Sequence, residues 1–424
     1  MRISKGDLHP TLRRSARCSP SLLRGNRRSR RYRVRMPAAP TFADLLDAWL
    51  AGGPAESLDR AVAGLSLHAV LALADACRAG HGLRRYLEPA VARAQLARAP
   101  GLGPAALLSL HRSGYVREIA LAALADSSDL AVLRFLALRL DDIVEKIRDR
   151  ARVEIVLRLV DRAAPEVAAI LPLVVRLSSR RRAGGGGIPR AVEAYLIDPA
   201  RGLAALLVAT RSPEAELRLA AVPLALRRAP LGDTKLDHYR AALADPEPKV
   251  ARWAAFELTS TRCDPAVRDA LLPLVLAHRD PALRRRAVLA YARLEGGEAR
   301  VERALLDPRA EVRGVARAKL RDGRSRALYL RVLEVEGQGA TRREVLGALA
   351  GLAEVGRREN APVALRWVES SDPLLQAEAV RCLAMLAPWE HRALLEEKRR
   401  SRYRRVRREA ERALRALGEA TPHA

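Results

Sequence analysis

Residues 307–320 decide the fold class. They read Asp307-Pro-Arg-Ala-Glu-Val-Arg-Gly-Val-Ala-Arg-Ala-Lys-Leu320. The Asp-Pro pair is typical of a helix start, because aspartate can cap the amino end and proline fits the first turn, where no backbone N–H is needed. Val312, Ala316 and Leu320 follow at intervals of four residues and predict one buried helical stripe. This stretch therefore predicts an amphipathic helix that follows a tight turn.

The same pattern, Val-Arg-x-x-Ala-x-x-Ala-Leu, recurs along the chain with a period of about 32 residues. Its copies start at Val116, Ile147, Leu217, Val250, Leu283, Val312, Thr341, Leu375 and Val406. One gap of double length predicts a further copy near Ile188, displaced by the Gly- and Arg-rich insertion at 180–187. A second helix, such as Ala266–Ala277 or Ser325–Val335, fits between copies. Two helices per period predict a repeat array.

Composition supports an all-α fold. Apolar residues make up 49% of the chain but aromatic residues only 4%, and the apolar share is mostly Ala, Leu and Val, which favours helices over sheets. No run of 18 apolar residues occurs, so no membrane-spanning helix and no membrane partner are expected. The predicted architecture is an α-solenoid, a right-handed superhelix of about ten two-helix repeats.

The Asp-Pro turn and the Val-Arg helix resemble bacterial HEAT repeats, of the subclass called HEAT-like or PBS-lyase-type. The resemblance covers the array at 100–418. It implies that the second helix of each repeat lines a concave face, and that the turn Asp and the helix Arg bond across neighbouring repeats. Seven arginines occupy that helix position, either as these structural contacts, which their periodicity favours, or as a basic ladder: Arg117, Arg148, Arg218, Arg284, Arg313, Arg342 and Arg407.

The chain before the array divides in two. Residues 1–35 carry eleven Arg and one Lys against Asp7, with no hydrophobic periodicity, and predict a disordered basic arm or a mis-assigned start with Met36 as the true one. Residues 36–99 predict N-terminal capping helices. Thr41 is the expected N-cap of the first one, which places Phe42, Leu45, Leu46 and Trp49 on one face; further helices are expected at Ser57–Ala79 and Leu83–Ala99. Residues 419–424 form a tail.

Two groups of cations are candidate binding residues for a polyanion. The denser group has eight cations in eleven residues and predicts either a phosphate-binding patch or the solvated face of a terminal repeat. It comprises Lys398, Arg399, Arg400, Arg402, Tyr403, Arg404, Arg405, Arg407 and Arg408. The second group extends the predicted concave face beyond the ladder, and comprises Arg252, Arg285, Arg286, Arg317 and Arg343.

No motif indicates catalysis. The four cysteines are far apart and predict no metal site, and no cofactor is expected. None of the eight histidines precedes a glutamate, which excludes the paired His-Glu iron sites of HEAT-repeat hydroxylases. The insertion at 180–187 lacks phosphate-loop spacing and predicts a flexible surface segment. HEAT-like DNA glycosylases use Trp and Asp in a groove, but Trp253, Trp367 and Trp389 are more typical of a helical core.

A non-catalytic role follows. The net charge of +27 favours acidic partners in general, although 70 of the 76 cations are arginine, as GC-rich coding also produces. The sequence predicts a cytoplasmic scaffold or adaptor that binds a protein partner on the curved surface of the solenoid. The alternatives are nucleic-acid (polyanion) binding through the concave-face and C-terminal arginines, and a HEAT-like lyase or DNA-glycosylase-like enzyme.

Overall fold

A computed structural model of the chain describes residues 42–78, 87–180, 187–320, 324–334 and 339–419. In these ranges the chain forms 24 α-helices and no β-strand, which confirms the all-α class. The predicted basic arm, the Thr41 cap, most of the insertion at 180–187 and the end of the tail lie outside the described residues. Among these ranges, no single helix is long and apolar enough to cross a membrane. One bent pair, Glu56–Ala63 with Leu67–Cys77, meets that criterion only when its two helices are taken together.

Four helices precede the array: α1 (Phe42–Leu50), α2 (Glu56–Ala63), α3 (Leu67–Arg78) and α4 (Pro89–Arg98). The expected single helix Ser57–Ala79 is wrong, because α2 and α3 meet at a bend of 117°. Gly64 ends α2, and the hydroxyl of Ser66 accepts a hydrogen bond from the Ala69 N–H at 3.2 Å at the start of α3. Trp49 is buried as predicted, and its Nε1 donates to the Ala99 carbonyl at 3.2 Å.

From Leu102 onward, two sets of helices alternate along the chain. The motif helices carry the repeated pattern: α6 (Gly114–Asp126), α8 (Glu145–Leu157), α10 (Ile188–Ile197), α12 (Ala215–Arg228), α14 (Pro248–Leu258), α16 (Pro281–Tyr291), α18 (Ala310–Lys319), α20 (Arg342–Val355), α22 (Pro373–Leu386) and α24 (Arg404–Glu419). The connecting helices precede them: α5 (Leu102–Leu108), α7 (Val132–Arg139), α9 (Ala164–Ser178), α11 (Leu203–Ala209), α13 (Lys235–Leu243), α15 (Pro265–Ala277), α17 (Glu298–Arg303), α19 (Arg324–Glu334), α21 (Ala361–Leu365) and α23 (Arg392–Lys398). Short 3₁₀ helices occur at Asp161–Ala163, Gly232–Thr234, Ala304–Leu306 and Arg358–Asn360.

The ten helix pairs stack in chain order. Every motif helix packs against the next motif helix, so the motif helices form one layer. The connecting helices lie against one face of this layer, and the opposite face of the layer is open to solvent. Helix α10 supplies the copy predicted near Ile188, whose side chain is buried. The molecule is an all-α helical repeat solenoid. The right-handed sense of its superhelix stays a prediction.

The repeated apolar positions form the core between the layers. In α6, Val116, Ala120 and Leu124 are buried as the pattern predicts. In α18, Val312 and Ala316 are buried, but the helix ends at Lys319 and Leu320 lies beyond it. The copy assigned to Thr341 is out of register: Thr341 is the N-cap of α20, its Oγ1 accepts from the Glu344 N–H at 3.3 Å, and the first buried apolar residue is Val345.

The turn aspartates were predicted to cap the motif helices, and two of the four do so. Asp280 and Asp372 accept hydrogen bonds from the N–H groups two residues later, and each is followed by a proline at the first helical position. Asp245 and Asp307 instead lie two residues before the N-cap. Their carboxylates accept from the N–H groups of Glu247 and Arg309, at 2.7 and 2.9 Å, and so hold the turn rather than the helix.

Candidate binding surface

The ladder arginines link successive repeats. Arg284 donates from Nε and Nη2 to the two carboxylate oxygens of Asp307 at 2.6 and 2.8 Å, and from Nη1 to the carbonyls of His278 and Arg279 in its own turn. Arg117 and Arg218 make the same contacts to Asp142 and Asp245, at 2.8 to 3.0 Å. This is the Asp–Arg contact that the resemblance implied.

Two carboxylates of the ladder, those of Asp142 and Asp307, remain ionised despite their burial. Burial by itself raises the pKa of Asp142 and Asp307, but the hydrogen bonds from Arg117 and Arg284 and from backbone N–H groups outweigh it, so both pKa values lie below the ordinary value. Each buried guanidinium therefore faces a full negative charge. Such bidentate pairs are strong and geometrically specific, and these arginines are not available to a ligand.

The other ladder arginines vary with the turn that follows. Arg313 pairs with Glu354; the next motif helix begins at Arg342, and a threonine, Thr341, occupies its N-cap in place of a turn aspartate. Arg342, at the start of α20, is exposed and pairs with Asp372. Arg148 and Arg407 donate to carbonyls of their own turns. The ladder is a structural device between repeats rather than a basic stripe.

Three of the five predicted concave-face arginines also form ion pairs between different parts of the array. Arg252 pairs with Asp280 at 2.9 Å, Arg317 with Glu354 at 2.6 Å, and Arg343 with Asp307 at 3.3 Å. Arg286 donates from Nε to the Thr259 hydroxyl at 2.9 Å, and Arg285 makes no hydrogen bond or ion pair with the described residues. These two lie together on α16.

The predicted C-terminal cluster divides into structural and free residues. Lys398 is buried and pairs with Glu369 and, at 3.1 Å, with Glu397, so its ammonium is not available to a phosphate. Arg407 is half-buried in its own turn. Tyr403 is half-buried, with the guanidinium carbon of Arg402 at 4.7 Å from its ring centroid.

Six arginines of the cluster are exposed: Arg399, Arg400, Arg402, Arg404, Arg405 and Arg408. None of them pairs with a carboxylate in the described part of the chain. Arg404 and Arg405 lie in the first turn of α24, where the helix dipole adds further positive potential. We call these six residues the C-terminal arginine patch.

An apolar track runs along the solvent-facing side of the motif layer, and the sequence analysis missed it. The residue six positions after the start of each copy is apolar in seven consecutive motif helices: Ala122, Val153, Ala194, Pro223, Phe256, Leu289 and Ala318. All seven are exposed or half-buried, and Val153 and Phe256 expose 54% and 48% of their surface. The sequence signal for the track is an apolar residue at the same position of successive copies, outside the predicted buried stripe.

The charges beside the track change sign along the array. The position four residues earlier lies one helical turn away on the same face. It is occupied by Glu118 and Asp149 in the first two motif helices, and by Arg190, Arg252 and Arg285 further on. The surface is thus apolar with mixed charge on its flank, rather than continuously positive.

The track opens at its N-terminal end into a groove of about 730 Å³ between α4 and α6. Its walls include Pro89 and Leu96 on one side and Tyr115, Ile119 and Ala122 on the other. Tyr115 is 74% exposed. Large exposed apolar and aromatic side chains of this kind are typical of interaction surfaces.

Reactive and metal-binding side chains are few among the residues that the structure describes. Burial raises the pKa of the Cys382 thiol to about 12, so it is not a thiolate nucleophile at neutral pH. The described ranges contain no group of three or more His, Cys, Asp or Glu residues that could hold a metal ion. Trp253 and Trp367 are half-buried, whereas Trp389 is 52% exposed.

Comparison with known proteins gives structural likenesses but no match in sequence. No protein-family profile and no curated protein sequence matches the chain. A chain from the solved complex in which Kap95p binds RanGDP is similar over 85% of this chain and 56% of its own length, at 12% identity and a TM-score of 0.37. This chain therefore spans about half of that one. A score of this size supports no conclusion about partner or function.

Proposed function

We propose that this chain is a non-catalytic scaffold or adaptor, acting in the cytoplasm, that binds a protein partner along the apolar track. The observation that carries the proposal is the track itself, with apolar side chains accessible at one position in seven consecutive repeats. Exposed apolar side chains at matching positions of stacked helices are typical of interaction surfaces. An extended partner segment could cover several repeats at once.

The flanking charges favour a protein over a nucleic acid as the main partner. Glu118 and Asp149 pair with Lys146 and Arg152, each at 2.6 Å, so this end of the track offers phosphates no surplus of positive charge. A protein segment can match both signs of charge. We further propose that the repeats are of the HEAT-like, PBS-lyase-type class. The Asp–Arg pairs between repeats support this assignment.

The test compares two exposed apolar surfaces. Val153→Glu with Phe256→Glu places charge on the track, and Val208→Glu places it on the connecting helix α11, where Val208 is 73% exposed. Both variants should keep the helicity and melting temperature of the parent, since the altered side chains are exposed. Affinity capture from lysate, with and without nuclease, then identifies what each protein retains.

We expect proteins retained by the parent and by Val208→Glu to be lost from the track variant, whether or not nuclease is present. Identical retention by all three proteins would contradict the proposal. Retention that disappears on nuclease treatment would point to nucleic acid instead.

The second candidate function is polyanion binding by the C-terminal arginine patch, favoured by its six guanidinium groups, none of which makes an ion pair with a described residue. Affinity for duplex DNA would then fall with salt, with a log–log slope of about −0.9 per phosphate neutralised. Replacing Arg404, Arg405 and Arg408 by Gln would flatten the slope by up to roughly 3 units. A matched control replaces three exposed arginines elsewhere, Arg162, Arg331 and Arg366, by Gln.

The scaffold proposal expects only weak duplex binding, with Kd about 10⁻⁴–10⁻⁶ M at physiological salt. The measurement should use a chain that starts at Met36, so that the arginines of the basic arm do not contribute. Submicromolar binding that survives in the control and is lost in the patch variant would establish the second candidate.

A further inference from the structure

Arg286 lies on α16 at the border of the apolar track. Its side chain is half-buried, its guanidinium carbon is 4.3 Å from the centroid of the Phe256 ring, and its Nε donates to the Thr259 hydroxyl. The Thr259 hydroxyl itself donates to the Ala255 carbonyl at 2.8 Å. The Nη groups of Arg286 make no hydrogen bond with the described residues.

This lack of a counter-charge sets Arg286 apart. In the described ranges, every other arginine that is buried or half-buried reaches a carboxylate, as Arg317 reaches Glu354, or a backbone carbonyl, as Arg134 reaches Leu65. Arg286 reaches neither. A partly desolvated cation without a counter-charge is unfavourable, so this position is one that an anionic ligand could stabilise.

Two further cations surround it. Arg285 and Arg293 are exposed and make no ion pair with the residues that the structure describes. Burial, together with the positive charges of Arg285 and Arg293, lowers the pKa of Arg286. The Arg286 guanidinium thus lies on the Phe256 ring, and the two exposed guanidinium groups are near enough to act on its charge.

We propose that Arg285, Arg286, Arg293 and Phe256 form the specificity site of the track and bind an acidic protein segment, with Asp or Glu side chains on the guanidinium groups and an apolar residue against Phe256. This inference rests on the proposed function and names its partner class. Guanidinium and carboxylate pair bidentately, as the ladder pairs inside this molecule do.

The surroundings favour a protein segment over a nucleic acid. Arg252, the preceding cation on this side, is already paired with Asp280. Glu257 lies on the neighbouring helix α14 and is held by Arg227, whose guanidinium carbon is 5.1 Å from the Trp253 ring centroid. A phosphate backbone would thus find one group of free arginines between apolar side chains and closed ion pairs, whereas a peptide that mixes acidic and apolar side chains fits both the arginines and the apolar neighbours.

The test selects ligands without assuming a sequence. A phage-displayed library of random 16-residue peptides is selected in parallel on the parent protein, on Arg285→Gln/Arg286→Gln/Arg293→Gln, and on the control Arg162→Gln/Arg331→Gln/Arg366→Gln, which loses the same charge elsewhere. Circular dichroism and thermal melting show that each protein is folded. Parent and control should enrich peptides that combine Asp or Glu with aromatic or aliphatic residues, and the site variant should not enrich the acidic residues.

An enriched peptide, synthesised with a fluorescent label, is then titrated by anisotropy at about 150 mM salt. Binding should weaken on the order of tenfold or more for the site variant and change little for the control. A copy of the peptide with Gln in place of each acid should bind weakly and show no response to the site variant.

The outcomes separate the two claims. Enriched peptides without acidic residues, whose binding nonetheless falls with Val153→Glu, would overturn this inference and keep the proposed function. A failure to enrich any peptide that responds to Val153→Glu would overturn both. Submicromolar binding of a single-stranded 20-nucleotide DNA that is lost only in the site variant would assign the site to nucleic acid instead.

Discussion

Asp307 holds three groups from three parts of the chain. Its carboxylate accepts from Arg284 of the preceding repeat, from Arg343 of the following motif helix at 3.3 Å, and from the Arg309 N–H of its own turn. Arg284 and Asp307 are both buried. Removal of the carboxylate would leave Arg284 charged in the core, and the loss of one partner of a buried pair is strongly destabilising.

We therefore expect Asp307→Ala to lower the free energy of unfolding by about 3–5 kcal/mol. Glu298→Ala is the matched control, because it removes a carboxylate from the exposed pair with Arg324 and should cost less than about 1 kcal/mol. Urea unfolding followed by far-UV circular dichroism measures both. Equal effects of the two substitutions would show that the ladder contributes no more than a surface pair.

Acid should weaken the pair between Arg342 and Asp372. The hydrogen bond from Arg342 lowers the pKa of Asp372 to about 2, below the unfolded value of about 3.9. Because the unfolded chain takes up the proton first as pH falls, the contribution of this pair is complete above about pH 4 and is lost toward pH 2.

The measurement is the difference in urea midpoint between the parent protein and Asp372→Asn at a series of pH values. This difference should be constant from pH 7 to about pH 4 and should shrink below it. A difference that stays constant down to pH 2 would contradict the lowered pKa.

Some residue roles followed from the sequence and others could not. The period places Arg284 and Asp307 at matching positions, so their contact was foreseeable once the resemblance was stated. Arg286 has a counterpart three residues after the start of another copy, Arg150 of α8. Arg150 pairs with Glu154 at 2.8 Å, so the lack of a counter-charge at Arg286 depends on which acids the folded chain brings near. Lys398 belonged to a run of cations, and only the packing of α23 shows that it is buried.

Glycine sets the closest approach between two elements in the second half of the array. A Cβ atom on Gly347 of α20 would lie 1.8 Å from the Leu306 carbonyl oxygen at the end of the short 3₁₀ helix. In contrast, a Cβ on Gly314 of α18 would meet nothing nearer than the Arg317 Nη2 at 4.0 Å. The close backbone approach therefore requires glycine at position 347, whereas the packing around position 314 has room for a side chain.

Gly347→Ala should destabilise the protein by about 1–3 kcal/mol, because backbone must move to admit the methyl group. Gly314→Ala should stabilise it by about 0.5–1 kcal/mol, since alanine favours a helix interior. Thermal melting of the two variants beside the parent checks the pair. A neutral Gly347→Ala would mean that α20 is free to move away from the 3₁₀ helix.

Helix boundaries were foreseeable where a strong local signal exists. Pro281 and Pro373 begin α16 and α22 directly after their capping aspartates. The break between α2 and α3 could not be predicted, because the apolar periodicity continues on both sides of it. Gly64 and Ser66 are the only local signals, and two residues of weak helix propensity do not decide between a bend and a long helix. Tertiary packing decides it.

At the scale of the whole molecule, each repeat contacts mainly its neighbours, and the buried apolar residues form three clusters along the chain. Period and repeat count were readable from the sequence, because they depend on local pattern alone. The repeat pattern shows that the track residues are apolar but not that they are accessible, since accessibility at one repeat position depends on how the layers stack.

Unfolding in urea should be broad or multi-step, because cooperativity falls over long arrays of nearest-neighbour contacts. Circular dichroism and Trp fluorescence should give different midpoints, since the tryptophans lie in different repeats. Coincident, sharp transitions by both probes would show that the array unfolds as one unit.

Truncation after Ala387 removes α23 and α24 and uncovers the side of α22 that packs on α24. The remainder should keep its helicity but self-associate, because its last repeat then presents an uncapped apolar face. Sedimentation analysis measures the association. A monomeric truncated protein would contradict a capping role for the last repeat.

The ladder also bears on how such a chain can change its length. Arg218 meets Asp245, and one repeat later Arg252 meets Asp280, so both junctions present a guanidinium to the turn carboxylate that comes next. A gene deletion that joined the end of α12 to the turn before α15 would remove one connecting helix and one motif helix, and would bring Arg218 toward Asp280, so that a guanidinium again meets a turn carboxylate. Because each repeat presents an arginine to the following turn and a carboxylate to the preceding helix, one repeat can replace another at a junction. Whole repeats can therefore be lost or duplicated in evolution while the contact between neighbouring repeats is kept.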